Sequence, residues 1–335
     1  MSHESWIKRV MCSVLFVVVL LNICACHQED SVSQSEAARN KKCLAETVMV
    51  WEEDVVLESE SESDLEVETI AETTEMSAPE AESQAQPEGE VVLSYPLTYA
   101  DETCTLIISR EWFEDAWVYS AHLQFTDYVR LITDCANGSY GNGFETTSHA
   151  AERLGAIFAV NGCYSASYLD YSVVRGGVIW NGAERSLWIP AVYSSHTGLL
   201  VSGWETGGTP GIAGVKVSDL VASGLVTDTF CFGPPGLQDG VITDVSTTGA
   251  RAQRTFIGTN GAPGDIWICV SDGRYNDGES AGLLGNQCMR FLQSKGCTFG
   301  VNLDGGGSST MYFDGKVLNA AKGNERAVVD FLVFR

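Results

Sequence analysis

Phe299-Gly-Val-Asn-Leu-Asp-Gly-Gly-Gly-Ser-Ser-Thr310 starts as a buried strand and ends as a polar loop. The apolar run stops at Asp304, where the chain leaves the sheet, and loops at such places carry reactive groups. Gly305, Gly306 and Gly307 let the backbone reach φ > 0 and approach a ligand closely. Their N–H groups, with the hydroxyls of Ser308, Ser309 and Thr310, suit an anion-binding concavity. A plain turn needs one or two glycines and leaves the hydroxyls unexplained. No Gly-Lys-Ser/Thr follows, which excludes a P-loop.

Strand-like runs surround this stretch at 104–110, 129–134, 155–160, 173–180, 198–202, 255–259, 266–271, 299–303, 310–313 and 327–334. Two helices are expected, at 147–154 and at 281–295. The second carries apolar residues at 284, 288, 291 and 292, follows Ser280 as a cap and stops at Gly296. Asn260-Gly261 and Asp314-Gly315 mark hairpin turns. Many short strands and few helices, in a chain with 34 glycines, predict an α+β fold, a β-rich mixed-sheet domain without internal repeats.

Several segments recur in a fixed order around the glycine loop. They are Ala159-Val-Asn-Gly162, Arg254-Thr255 with Ile257-Gly258, Asp272-Gly273-Arg274, Asn302 through Met311, then Gly315, Asn319 and Glu325-Arg326. Together they resemble the phosphodiester glycosidase family, over roughly 155–335 and most densely from 251 onward. Cys163-Tyr164 departs from the pattern, because the family often has Gly or Asp and then an aromatic residue there. The resemblance implies that family's fold and a hydrolase that cleaves the bond between a sugar anomeric carbon and a phosphodiester. N-acetylglucosamine-1-phosphodiester is the substrate type it implies.

Such a substrate leaves as a stable anion, so protonating the leaving group matters less than in ordinary glycoside hydrolysis. The enzyme must cradle a phosphate, stabilise an oxocarbenium-like centre and supply a nucleophile or an activated water. On this reading Asp304 is the candidate base or nucleophile, with Asp272 or Glu325 as a second carboxylate. Arg254 and Arg274 are candidate bidentate phosphate ligands. The backbone of 305–307 and the hydroxyls of Ser308, Ser309 and Thr310 would add hydrogen bonds, and Asn161 and Asn302 are candidate sugar ligands. Each has a structural alternative. Asp272 can cap its own turn, Glu325 and Arg326 can pair with structural charges, and both asparagines can satisfy backbone at strand ends. Trp112, Trp117, Tyr164, Tyr168, Tyr171, Trp180, Trp188 and Trp204 are mostly core by expectation, with some available to stack on sugar rings.

Composition narrows the rest. Residues 46–90 hold sixteen Asp and Glu and no Lys, Arg or His; without them the whole-chain charge of −24 falls to −8. No basic stripe exists to neutralise phosphates, so nucleic acid is not expected as a partner. The acidic, aromatic-poor segment 27–90 reads as a disordered tether. Ahead of it, Lys8-Arg9, the apolar run 10–21 and Cys24-Ala-Cys26 read as a signal peptide, a lipoprotein signal lipidated at Cys26, or an uncleaved anchor. The expected organisation is therefore 1–26 targeting, 27–90 tether and 91–335 catalytic domain, exported and held at a membrane or cell surface. There, glycosyl phosphodiesters of surface polymers are natural substrates.

Of eleven cysteines, seven fall in the folded region without a C-x-x-C, and Cys269 and Cys297 sit in strand-like runs as small core residues. His122, His149 and His196 lack ligand spacing, and neither His-Glu-x-x-His nor Gly-x-Ser-x-Gly occurs. No organic cofactor is required. No ligand cluster points to a metal, though acidic loops leave room for a divalent ion. Two rival readings stand: a non-catalytic polysaccharide-binding module, which would keep its role in Asp304→Asn, and a glycosidase for ordinary glycosidic bonds.

Overall fold

The computed structural model describes residues 93–163, 171–184, 189–205, 209–210, 215–232, 235–243, 250–273, 279–319 and 325–335. The expected targeting segment and tether lie outside these residues, as do Tyr164, Tyr168, Trp188, Arg274 and the side chain of Trp204. In chain order the strands are β1 (Leu97–Ala100), β2 (Cys104–Phe113), β3 (Ala116–Phe125), β4 (Leu131–Cys135), β5 (Phe158–Asn161), β6 (Val173–Arg175) and β7 (Val178–Asn181). Next come β8 (Ala191–Ser194), β9 (Leu199–Ser202), β10 (Trp204–Glu205), β11 (Thr209–Pro210), β12 (Asp228–Phe230), β13 (Leu237–Gln238) and β14 (Val241–Ile242). The last are β15 (Arg254–Thr259), β16 (Asp265–Ser271), β17 (Phe299–Asn302), β18 (Met311–Phe313), β19 (Lys316–Val317) and β20 (Asp330–Phe334). The helices are α1 (Thr147–Leu154), α2 (Val217–Ala222) and α3 (Gly285–Ser294), with short 3-10 turns at Tyr128–Arg130, Ala136–Gly138 and Gly306–Ser308.

Two sheets dominate, one of eight strands ordered β1-β2-β3-β16-β15-β17-β13-β14 and one of five ordered β19-β18-β5-β20-β4. They face each other. Leu106, Ile108, Ala121, Ile257, Val270 and Val301 of the larger sheet share one core with Phe158, Val160, Met311 and Leu332 of the smaller. Side chains alternate across a strand, so neighbours of these residues point outward. Phe256 and Cys269 pack with Cys288, Met289, Phe291 and Leu292 of α3. Ala159, Phe331 and Val333 pack with Ala150 and Ala151 of α1. The result is a helix–sheet–sheet–helix stack, the economical way for two half-apolar sheets to hide both faces.

The β-rich α+β class agrees with the expectation. The sheets are antiparallel throughout the described pairings, both where a hairpin joins successive strands, as in β2–β3 and β15–β16, and where distant strands meet, as in β5–β18 and β4–β20. α1 forms where expected, capped by Thr146 Oγ1, which accepts the His149 N–H at 3.4 Å. α3 starts later than expected, with Leu284 and not Ser280 at its N-cap; the Ser280 hydroxyl instead accepts the Trp117 N–H at 3.1 Å. The run 173–180 is a hairpin and not one strand, since Gly176 (φ 56) and Gly177 (φ 79) turn it back. Gly258 and Gly300 pair across β15 and β17 directly beneath α3. A Cβ on Gly300 would stand 2.6 Å from Leu292 Cδ1, so these glycines let the helix lie close on the sheet.

All seven cysteines of the described region are buried. Cys269 and Cys297 lie in the core under α3, as expected. Burial pushes the Cys297 thiol up to about 12, so it stays protonated and inert.

Candidate active site

Antiparallel order brings the end of β16, the start of β15 and the end of β17 to one end of the larger sheet: Arg254 faces Ser271, and Phe256 faces Asn302. β5 ends at Asn161 in the facing sheet, where Met311 of β18 pairs with Val160. The glycine loop 304–310 crosses between the sheets there. Asn161 clamps it at both ends: its Nδ2 donates to the Asp304 carbonyl at 2.8 Å, and its Oδ1 accepts the Thr310 N–H at 3.2 Å. Oδ1 also accepts the Thr255 hydroxyl at 2.7 Å, which ties the clamp to β15. With 0% exposure Asn161 is a positioning residue and not the sugar ligand expected from sequence.

Four of the loop's N–H groups are turned inward as well. Gly305 N–H donates to Asp304 Oδ1 (2.9 Å), Gly306 N–H to the Gln253 carbonyl (2.8 Å), Ser308 N–H to the Gly305 carbonyl (3.3 Å) and Ser309 N–H to the Gly306 carbonyl (3.1 Å). The Gly305 and Gly306 donors are therefore taken up inside the loop and do not form the anion-binding concavity expected of the 305–307 backbone. Gly305 serves close packing instead, since a Cβ there would stand 2.9 Å from the Gln253 carbonyl oxygen, while Gly306 supplies the positive φ (62°) of the bend. Ser309 and Thr310 are buried, and the Ser309 hydroxyl has no hydrogen-bond partner.

Asp304 and Ser308 are the two expected residues that line an open cavity of about 200 Å³. Its other walls are Phe144, Cys163, Arg326, Ala327, Val328 and Val329. Asp304 is 8% exposed, and burial raises its carboxyl above the ordinary aspartate value of 3.8. The Ser308 hydroxyl, the Arg326 charge and the Gly305 N–H oppose the shift without cancelling it, and the Asp330 charge adds to it. Arg326 Nε and Nη2 donate to Ser308 Oγ at 3.1 and 2.5 Å, which leaves the hydroxyl proton to point at Asp304. Arg326 Nη2 lies 3.9 Å from Asp304 Oδ2 and also donates to the Gly305 carbonyl at 3.3 Å. The Arg326 side chain is nevertheless 56% exposed, so it holds the carboxylate from inside and faces solvent at the mouth.

Beneath the cavity lies a buried ion pair. Arg175 Nε and Nη2 both reach Asp330 Oδ2, the former at 3.1 Å, while Nη1 donates to the carbonyls of Val174 and Thr229, each at 2.7 Å. Asp330 Oδ1 accepts the Cys163 N–H at 2.6 Å, and the Cys163 sulfur accepts the Cys231 N–H at 3.1 Å and Arg175 Nη2 at 3.4 Å. A Cβ on Gly162 would overlap Asp330 Oδ1 and stand 3.2 Å from the Asp330 carbonyl carbon. Gly162→Ala is therefore expected to cost about 1–3 kcal/mol by overpacking. Urea denaturation checks this, and an unchanged midpoint would show that the contact relaxes freely.

The remaining expected site residues do other work. Glu325 accepts both the N–H (3.0 Å) and the hydroxyl of Ser148, a favourable place for a carboxylate at the start of α1. Asp272 is buried against Arg110, 4.0 Å away, and takes the Tyr119 hydroxyl. It lies two strands from the loop, roughly 10 Å across the sheet. Arg254 lies beside Gly305 but donates Nε to the Leu283 carbonyl (3.1 Å) and Nη2 to the Ala250 carbonyl (3.0 Å). Asn302 faces Phe256 on the α3 side and donates to the Leu303 carbonyl at 2.6 Å. Sequence reasoning missed Arg326 as the cation at the carboxylate, although the Glu325-Arg326 pair was in view, and it passed over Phe144; Cys163, noted only as a departure from the family pattern, is part of the cavity wall.

A family model described as phosphodiester glycosidase matches residues 154–335, more than half of the chain. Among solved structures, the chain is similar to the zebrafish N-acetylglucosamine-1-phosphodiester alpha-N-acetylglucosaminidase catalytic domain auto-inhibited by pro-peptide. The identity is 17% and the TM-score 0.50, covering 69% of this chain and 82% of that one. A hypothetical protein from Synechocystis is similar at 14% identity and TM-score 0.51, covering 70% of this chain; the chain spans 62% of that protein's length. At these identities the likeness bears on fold alone. No curated protein sequence matches the chain.

Proposed function

The chain belongs to the phosphodiester glycosidase family, and from that premise we propose that it hydrolyses the bond between a sugar anomeric carbon and a phosphodiester, of the N-acetylglucosamine-1-phosphodiester type. One observation carries the reading: a buried carboxylate of raised pKa, Asp304, sits 3.9 Å from the solvent-facing guanidinium of Arg326 in a cavity large enough for a small ligand.

In the proposed reaction Asp304 takes a proton from water, whose oxygen forms the new bond to the anomeric carbon. The bond between the anomeric carbon and the bridging oxygen breaks, and the phosphate monoester leaves with that oxygen and the electron pair as an anion. Arg326 receives that charge. The raised pKa makes Asp304 a better proton acceptor than an ordinary aspartate, and the leaving group needs no second carboxylic acid. Ser308 keeps the carboxylate and the guanidinium in register. On the reading that 1–26 exports the chain and 27–90 tethers it, the substrates are glycosyl phosphodiesters of surface polymers.

The test compares two substrates, a glycosyl phosphodiester and a glycoside with a sugar leaving group; turnover of the second alone would refute the assignment. Arg326→Ala is expected to lower kcat/KM for the phosphodiester by about 10- to 100-fold, the loss of one charge-assisted contact of roughly 1.5–3 kcal/mol. Arg326→Lys should recover part of it, since an ammonium keeps the charge and loses the fork. Equal activity in all three proteins would remove Arg326 from the site.

A further inference from the structure

Phe144 is 63% exposed, yet it lines the same cavity as Asp304, Ser308 and Arg326. It lies ahead of the family match, which starts at residue 154. The cavity is divided by chemistry. Asp304, Ser308 and Arg326 make part of its lining polar and charged, while Phe144, Val328 and Val329 make part of it apolar. Such a lining suits a ligand that is itself two-sided, an apolar face with an anionic substituent. A pyranose 1-phosphate is of that kind, because its axial C–H groups form an apolar face and its phosphate an anion.

The ring is also held in place. Glu145 N–H donates to the Val328 carbonyl at 3.0 Å, and Val328 N–H donates to the Glu145 carbonyl at 2.8 Å, so the residue next to Phe144 is tied to the Val328 segment of the cavity lining. The Glu145 carboxylate is buried and accepts Arg153 Nε at 2.9 Å, Arg153 Nη2 at 2.8 Å and the Asn137 N–H at 2.7 Å, with His149 Nδ1 2.6 Å away. An ion network that anchors the residue next to a solvent-facing aromatic ring presents that ring at a fixed place.

We infer that Phe144 is the stacking platform of the sugar subsite, set against the C–H face of the ring whose phosphate meets Arg326. The inference rests on the proposed reaction for the identity of the ligand and on the cavity for its place. It makes Phe144 a specificity residue: it selects a cyclic sugar over other groups on the same phosphate.

The test uses the full chain and three probes, N-acetylglucosamine 1-phosphate, n-butyl phosphate and inorganic phosphate, titrated by calorimetry. Phe144→Ala is expected to weaken the sugar phosphate by about tenfold, the scale of one aromatic stacking contact. Inorganic phosphate should stay within about twofold, and Phe144→Trp should bind the sugar phosphate at least as well as wild type. Trp112→Ala, which removes a half-exposed ring outside the cavity lining, serves as the control for loss of a surface aromatic and should leave sugar-phosphate binding unchanged.

Three results would overturn the inference: wild type that does not bind the sugar phosphate, Phe144→Ala that binds it like wild type, or a loss shared equally by inorganic phosphate. A loss confined to butyl phosphate would also overturn it, because the ring would then serve an alkyl group. Phe144-dependent sugar-phosphate binding in a protein that turns over no glycosyl phosphodiester would uphold the subsite and refute the reaction.

Discussion

Asp304→Asn is expected to lower glycosyl phosphodiester turnover by about 10²- to 10⁴-fold, the scale of a positioned general base, and at the same time to raise the melting temperature. Both effects come from the same burial. A carboxyl whose folded pKa exceeds its unfolded value holds its proton more tightly in the native state. Its contribution to stability is fully present below the unfolded pKa and is lost as pH rises through the folded one. At neutral pH the native protein therefore carries a desolvated charge that Asn removes. Activity runs the other way. The base form disappears as pH falls through the raised pKa, so the acid limb of the rate profile should lie above 3.8, the value for an unperturbed aspartate. A variant that loses activity and also melts earlier would mark Asp304 as structural. An Asp304→Asn protein with undiminished turnover would remove it from the chemistry.

The Arg175–Asp330 pair should give the largest stability effect. Both side chains are almost wholly buried, and their remaining hydrogen bonds run to Cys163, Val174 and Thr229. Removing one partner strands the other charge in the core beneath the cavity, which costs about 3–5 kcal/mol. Arg175→Met and Asp330→Leu are each expected to lose that much in urea denaturation. The double variant, with no charge left, should recover most of the loss, because replacing a whole buried pair with apolar groups is often nearly neutral. Additive losses in the double variant would mean that the hydrogen bonds to Val174, Thr229 and Cys163, and not the ion pair, carry the stability.

What could be seen in the sequence was what short stretches specify alone. Helix 147–154 has its cap and stop in place, and the turns at 260–261 and 314–315 carry their Asn-Gly and Asp-Gly pairs. The glycine loop marked a candidate site because no plain turn needs its hydroxyls, although only Ser308 of the three lines the cavity. β3 was invisible for the opposite reason. Residues 118–121 of that strand are buried on both faces, so the period-two alternation that marks a half-exposed strand is missing.

The site's partners are the least local part. Ser308 meets Arg326, Asn161 meets Asp304, and Asp330 meets Arg175, pairs separated by 18, 143 and 155 residues. Sequence shows the residue types but not which side chain turns toward which. That is why Arg254, on its strand, looked like the phosphate cation while Arg326, after a loop, did not. Phe144 follows Gly141 and Gly143 and reads as the end of a turn; nothing in that pattern marks its ring as part of a wall.

The most direct test of the proposed bond cleavage is hydrolysis of N-acetylglucosamine-1-phosphodiester in oxygen-18 water, with both products analysed by mass spectrometry. Attack at the anomeric carbon puts the label in the sugar hydroxyl and leaves the phosphate monoester unlabelled, which is the outcome expected here. Label in the phosphate would place the attack at phosphorus and contradict a glycosidase built around Asp304.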